Sequence, residues 1–392
     1  MRDYINTYKV RVRLLLMLAA VLLSACSDDS DSVEEKKDML QLVPYSQKMA
    51  DVTLSATRAV TYDTDDYSLY YGPNSIRVYT ISQKDDQSWD VPAPEDIRSF
   101  TFKNGSWNSS VSVVNGKDYY IYGFMPVAFK TTPSEPESIS SEPETVTIRC
   151  DVTSESGDFS DGATLTFSNL PPVMAEDFSV VTGVLQVGKS NPAEATGTLK
   201  AGNFYYKGQA TGSNFVCLML DHLYSCVRFR FLVDDDYSKL RTIKLKEVKL
   251  KTQSNVTYPL TVTLRAGQDC DISYGAQASL SSDFATLFTS TTQDGDALSS
   301  LDDEAKVVEG YFAPFADVAN YLLLECKYNV YGKDKNGDLV LTRENCVATN
   351  KLPANRIMVG LNQRTTITLT VNPTYLYVLS EPDLDNPTIT IN

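Results

Sequence analysis

Val227-Arg228-Phe229-Arg230-Phe231-Leu232-Val233 sets the fold class. Val227, Phe229, Phe231 and Val233 fall on one side of an extended chain, with Arg228 and Arg230 on the other, because successive strand side chains point to opposite faces. A helix would repeat its apolar positions at three and four instead. The same period of two recurs along the chain. Ile76 to Ile81 is one run, and Tyr119-Tyr120-Ile121-Tyr122-Gly123-Phe124 is another, ending at Pro126. Ile367, Leu369 and Val371 alternate with Thr366, Thr368 and Thr370. Asn104-Gly105 between Ser99–Phe102 and Trp107–Val113 predicts a tight hairpin turn. Leu322–Tyr331, a turn over Asp334–Asp338 and Leu339–Thr342 predict a second hairpin. Lys244, Lys246 and Lys249 fall out of strict alternation with Ile243, Leu245, Val248 and Leu250, which implies a bulge near Glu247. No segment sustains a helical period beyond about two turns. Short strands with frequent turn residues predict an all-β protein built of sandwiches.

The N-terminus reads differently. Arg2, Lys9, Arg11 and Arg13 precede an apolar run, Leu14 to Leu23, then Ser24, Ala25 and Cys26. That run is too short for a hydrocarbon core of ~30 Å, which needs about 20 helical residues. A basic start, a short apolar centre and small exit residues form a cleavable export signal. Leu23-Ser24-Ala25-Cys26 matches a bacterial lipobox, which makes Cys26 the lipidated first residue of the mature chain and anchors it to the outer membrane. Residues 1–25 are therefore expected to be a signal peptide. Residues 26–50, opening on the acidic Ser27–Ser32, are expected to be a disordered tether. The polar segment Lys207–Asn214 marks a boundary between two β-sandwich domains, 51–212 and 213–392. The Pro/Ser/Glu-rich Thr131–Thr145 should be a surface loop.

Composition narrows function. The formal net charge of −15 argues against a nucleic-acid partner. Apart from Cys26, the cysteines are Cys150, Cys217, Cys226, Cys270, Cys326 and Cys346, with no C-x-x-C pair and one histidine in the whole chain. That set argues against a zinc site and leaves disulfides and buried thiols both open. No G-x-S-x-G, P-loop or G-x-G-x-x-G occurs, so no catalytic constellation or cofactor is indicated and the chain reads as a non-enzyme. His222 is expected to be a packed, hydrogen-bonded histidine. Asp334-Lys335-Asn336-Gly337-Asp338 lacks the twelfth-position Glu of a calcium loop and reads as a turn, so no metal site is expected. The 23 tyrosines suit half-buried sheet faces better than a glycan-stacking platform.

Six segments together resemble the fimbrillin family of FimA-like and Mfa-like pilus subunits. They are Thr57-Arg58-Ala59 after Asp51–Ala56; Trp107 with Tyr119–Pro126; Glu176-Asp177-Phe178-Ser179-Val180; Leu220–Phe229; Gly310–Pro314; and Asn362–Leu369. The resemblance runs over roughly residues 20–371. Cys226 departs from it, standing where a Lys is common, and 373–392 has no counterpart. The resemblance implies two tandem transthyretin-like β-sandwich domains and a fimbrium on the cell surface, used for adhesion and assembled with other pilus subunits by strand exchange. It also implies protease cleavage between Arg58 and Ala59. That cut would free the chain from its lipid and remove Val52 and Leu54 as the displaced strand. The groove left open would take a C-terminal donor strand, with Ile367, Leu369 and Val371 or Tyr375, Tyr377 and Leu379 as candidate side chains. The competing reading is a permanently lipid-anchored surface protein that binds a glycan or another adhesin and never polymerises. Neither reading names a receptor.

Overall fold

Ser225–Val233 is a strand, with Val227, Phe229 and Phe231 fully buried and Arg228 and Arg230 half-buried on the opposite face. It runs parallel to Gln363–Tyr375 on one side and antiparallel to Lys306–Phe312 on the other. These relations come from a computed structural model that describes residues 37–52, 67–70, 72, 74–131, 144–187, 201–252, 258–275, 285–313, 321–353, 360–375 and 382–391. Residues Asp38–Asn392 form one compact unit.

The described chain is nearly all β, organised in stacked sheets. A 10-stranded sheet runs in the order Tyr67–Leu69, Gln41–Gln47, Phe215–His222, Ser179–Val187, Asp118–Met125, Ser75–Gln83, Arg98–Lys103, Ser106–Ser109, with two short strands added beside it. A 4-stranded sheet of Cys150–Ser154, Gly162–Leu170, Tyr258–Arg265 and Asp271–Tyr274 covers one face. Tyr122, Phe124 and Val180 there meet Leu165, Phe167, Leu260 and Val262. On the opposite face Leu40, Leu42, Val78, Ile121, Val181, Leu218 and Leu220 form another core, closed by Val111 and Val113. The strand Ser225–Val233 belongs to a 6-stranded sheet. Phe229, Phe231, Ile367 and Leu369 pack there on Leu245, Val248, Leu324 and Cys326 of a 7-stranded sheet. Each layer buries one face on the next, as an amphipathic sheet must.

Local details reflect the residues. Asn104 and Gly105 take φ of 55° and 76°, the left-handed pair of a two-residue turn, and Lys103 faces Ser106 across it. The register of Thr242–Thr252 shifts between Leu245 and Glu247, which is the anticipated bulge. In the second hairpin Asp334 Oδ1 accepts from the backbone N–H groups of Asn336 and Asp338, so the acidic segment is a turn closed on itself. The single described α-helix, Asp235–Leu240, is capped by the Asp234 carboxylate. No described helix is long and apolar enough to cross a membrane.

Two expectations need correction. The tether read over 26–50 becomes strand from Lys37 onward: Lys37–Met39, Gln41–Gln47 and Ala50–Val52. The acidic start at 27–35 had hidden the alternation of Leu40, Leu42, Pro44 and Ser46, all buried. The segment 207–214 joins Tyr205–Lys207 to Phe215–His222, and both lie in the 10-stranded sheet. The passage to the 6-stranded sheet falls at Leu223–Tyr224 instead. Strands also cross that point: Tyr258–Arg265 pairs with Gly162–Leu170, and Val173–Met174 with Lys306–Phe312.

Candidate functional site

Gln41–Gln47 is inserted between two strands of different origin. It runs parallel to Phe215–His222, from Phe215 facing Gln41 to Leu220 facing Ser46. Its other edge pairs antiparallel with Tyr67–Leu69. Leu40, fully buried, and Leu42, 7% exposed, plug the core beneath. The entry to the groove is tied by polar contacts. The Leu40 N–H donates to the Val111 carbonyl at 2.9 Å and the Gln41 N–H to the Asn214 carbonyl at 2.7 Å. The Asp38 carboxylate accepts from Gly212 N–H at 2.7 Å and Asn214 Nδ2 at 2.9 Å.

The exit of the groove is a buried polar cluster on His222. Its Nε2 lies 2.7 Å from the Gln47 carbonyl, and its Nδ1 lies 2.9 Å and 2.8 Å from the two Asp177 oxygens. Ser179 Oγ donates to Asp177 at 3.1 Å. Ser46, Asp177 and His222 are each at most 7% exposed. Burial alone would drive the imidazolium toward neutrality. The Asp177 charge, its hydrogen bond, the Gln47 carbonyl and Asp221 outweigh that and raise the His222 pKa above its ordinary value. The Tyr67 hydroxyl donates to Asp221, so the neighbouring position on the same strand holds the other flanking strand.

Ser46 Oγ also stands 3.4 Å from Nε2, giving the outline of a Ser-His-Asp array. A catalytic histidine needs a free Nε2 lone pair to take the serine proton. Here Nε2 faces a carbonyl oxygen at 2.7 Å and must carry a hydrogen, so it is not placed to take that proton, and His222 is packed and hydrogen-bonded as its place in the sequence implied. A cavity of about 950 Å³ opens beside the cluster, lined in part by Gln47, Tyr70, Glu176 and Arg364. Among the described residues no group of His, Cys, Asp and Glu could hold a metal ion.

The chain then crosses to the 6-stranded sheet. Ala50–Val52 pairs parallel with Gln363–Thr365. Asp51 accepts two hydrogen bonds from Arg364, at 2.7 and 3.0 Å, and the guanidinium holds its carboxyl below the usual range. Val52 thus sits in a strand. Leu54, Arg58 and Ala59 lie outside the described residues, as does Cys26. Of the donor candidates, Ile367, Leu369 and Val371 are buried in the core of their own sheet at 5%, 0% and 2% exposure. Tyr375 ends that strand, and Tyr377 and Leu379 lie outside the described residues. Pro382–Ile391 pairs antiparallel with Gln363–Tyr375 at the sheet edge, on from Ala50–Val52.

Among the described residues, Cys150, Cys217, Cys226, Cys326 and Cys346 are buried and Cys270 is half-buried. Burial pushes the Cys217 thiol up to about 11. The buried tyrosines serve packing: Tyr224 Oη donates to the Pro171 carbonyl at 2.6 Å and Tyr206 Oη to Asn214 at 2.9 Å.

Solved structures give the comparison. A fimbrial protein from Bacteroides vulgatus is 15% identical, covering 90% of this chain and 98% of its own, with a TM-score of 0.35. A candidate cell adhesion protein from Bacteroides fragilis is 9% identical, over 91% and 97%, with a TM-score of 0.33. Another from Bacteroides uniformis is 10% identical, over 90% and 98%, also at 0.33. By their names these three are one fimbrial protein and two candidate adhesion proteins. No protein-family profile and no curated protein matches the sequence.

Proposed function

We propose that the chain is a fimbrial subunit, exported as a lipoprotein on Cys26, trimmed after Arg58 and assembled by strand exchange into an adhesive cell-surface fibre. One observation carries the reading. The strand Gln41–Gln47, with Leu40 and Leu42 filling a groove, lies wholly N-terminal to Arg58. A cut there separates both inserted strands from the rest of the chain. Their loss would leave Phe215–His222 and the first residues of Gln363–Tyr375 with open edges, which is the template an incoming strand needs. Leu40 and Leu42 would leave together with Val52 and Leu54, the pair that the sequence pointed to.

The covalently attached strand is a strong incumbent. Its two leucines contribute ~1.5–3 kcal/mol each, and ladder hydrogen bonds about 1 kcal/mol net each. An external strand also loses translational freedom on binding, which costs ~4 kcal/mol or more. It wins only once the internal strand can leave. The donor belongs C-terminal to Val371 in this reading. Withdrawing Ile367, Leu369 and Val371 from their own core would cost ~1.5–3 kcal/mol each.

Two variants test the scheme in cells. Cys26→Ala should abolish labelling by a radioactive fatty acid, and label persisting in that variant would remove the lipoprotein assignment. Arg58→Ala should keep residue 26 as the N-terminus of the surface protein and block higher oligomers. A ladder formed by the Arg58→Ala chain would end the proposed cleavage site.

A further inference from the structure

We infer that His222 is the latch of the removable N-terminal strand: as an imidazolium it clamps the Gln47 carbonyl against Asp177, so the grip on Gln41–Gln47 depends on one proton. The Ser46 and Ser179 hydroxyls stand farther off, at 3.4 Å each, while the nearest oxygen to each ring nitrogen can only accept, Gln47 O at 2.7 Å and the Asp177 carboxylate at 2.8 Å. A neutral imidazole carries a single N–H and satisfies one of them. Losing the proton therefore sets a ring lone pair against an oxygen lone pair in a site where the ring is 6% exposed. Gln47 is the last residue of its strand, so the contact holds the end nearest Arg58.

The surrounding charges fit a held imidazolium. Asp177 precedes the strand Ser179–Val187 and contacts the ring directly, and Asp221 adds its charge from the ring's own strand. The N-terminal segment contributes the Ser46 hydroxyl and the Gln47 backbone, with Lys48 exposed, and Tyr70, Tyr311 and Cys226 lie within electrostatic reach of Asp177. Across the adjoining cavity stand Glu176 and Lys130, while Arg364 is engaged by Asp51 and Glu309. The raised pKa of the ring then fixes the direction. A group with a higher pKa in the closed state contributes fully below its free value, about 6.5, and loses that contribution as pH rises through the closed-state value. The latch is shut at acidic pH and loosens on the alkaline side.

The role in controlling exchange rests on the fimbrial reading; the latch itself does not. An incoming strand that fills the same length would meet His222 at its end, and one presenting a carbonyl there would be favoured over one out of register.

The test uses the uncut full chain, in which His222 is the sole histidine and gives one assignable ring resonance. That resonance should titrate with a midpoint above the ordinary value. Over the same range, hydrogen-exchange protection factors of the Gln41–Gln47 amides should fall by up to about tenfold per pH unit. His222→Gln, which can donate one uncharged hydrogen bond, should flatten that dependence, and Asp177→Asn should move it to lower pH. A midpoint at or below the ordinary histidine value, or protection that ignores the ring's titration, would overturn the latch. Should a variant fail to fold, the two wild-type measurements decide alone. No arm reads assembly. If protection follows the ring and the trimmed chain never assembles, the latch stands and the fimbrial reading falls.

Discussion

Leu42 and Phe231 mark the two ends of what a single residue contributes here. Phe231 is fully buried between two sheets, and Phe231→Ala should cost about 3–5 kcal/mol in chemical denaturation. Leu42→Ala should cost about 2–5 kcal/mol in the uncut chain. In a chain already trimmed after Arg58 the same substitution should cost nothing, since residue 42 has left. A similar penalty in both would place Leu42 outside the removable strand. Phe231 was legible at once, because alternation is a local property. His222 was legible only as a packed histidine. Its partners Asp177 and Gln47 stand 45 and 175 positions away, a distance at which periodicity carries no information.

Strands and turns were legible where chemistry is local. Asn104-Gly105 names its own turn, and at a φ of 76° with open space around it Gly105 is required by backbone conformation alone. Gly105→Val should therefore cost about 1–2 kcal/mol with no change in the core, measured as a lower denaturation midpoint with an unaltered m-value. An altered m-value would place the effect elsewhere. The N-terminal strand was missed for the opposite reason. Its alternation spans few residues, includes Pro44 and Ser46, and comes after an acidic run, so composition outweighed pattern. Its burial depends on Phe215–His222, a partner no local window contains.

At the scale of the molecule, all-β layering followed from the strand count and the lack of helical period, but the pairing did not. Tyr258–Arg265 is a regular alternating strand, and nothing in it says that it joins Gly162–Leu170. Long-range pairing is set by which faces and edges fit after collapse, and sequence spacing does not encode it. The interleaving carries its own expectation. A chain nicked within 207–214 should stay one species in native gel filtration, because strands from both fragments share sheets. Separation into two folded fragments would contradict the pairing described here.

The central claim is that the segment before Arg58 occupies a groove that another subunit's strand can take. Its most direct measurement is the mass in solution of the purified chain from residue 27, by light scattering after gel filtration, before and after trimming at Arg58. A monomer is expected before the cut. After it, a ladder of oligomers should appear that vanishes when 373–392 is deleted. Trimmed protein that keeps an intact C-terminus and stays strictly monomeric at high concentration would contradict the claim, and would favour a lipid-anchored binding protein instead.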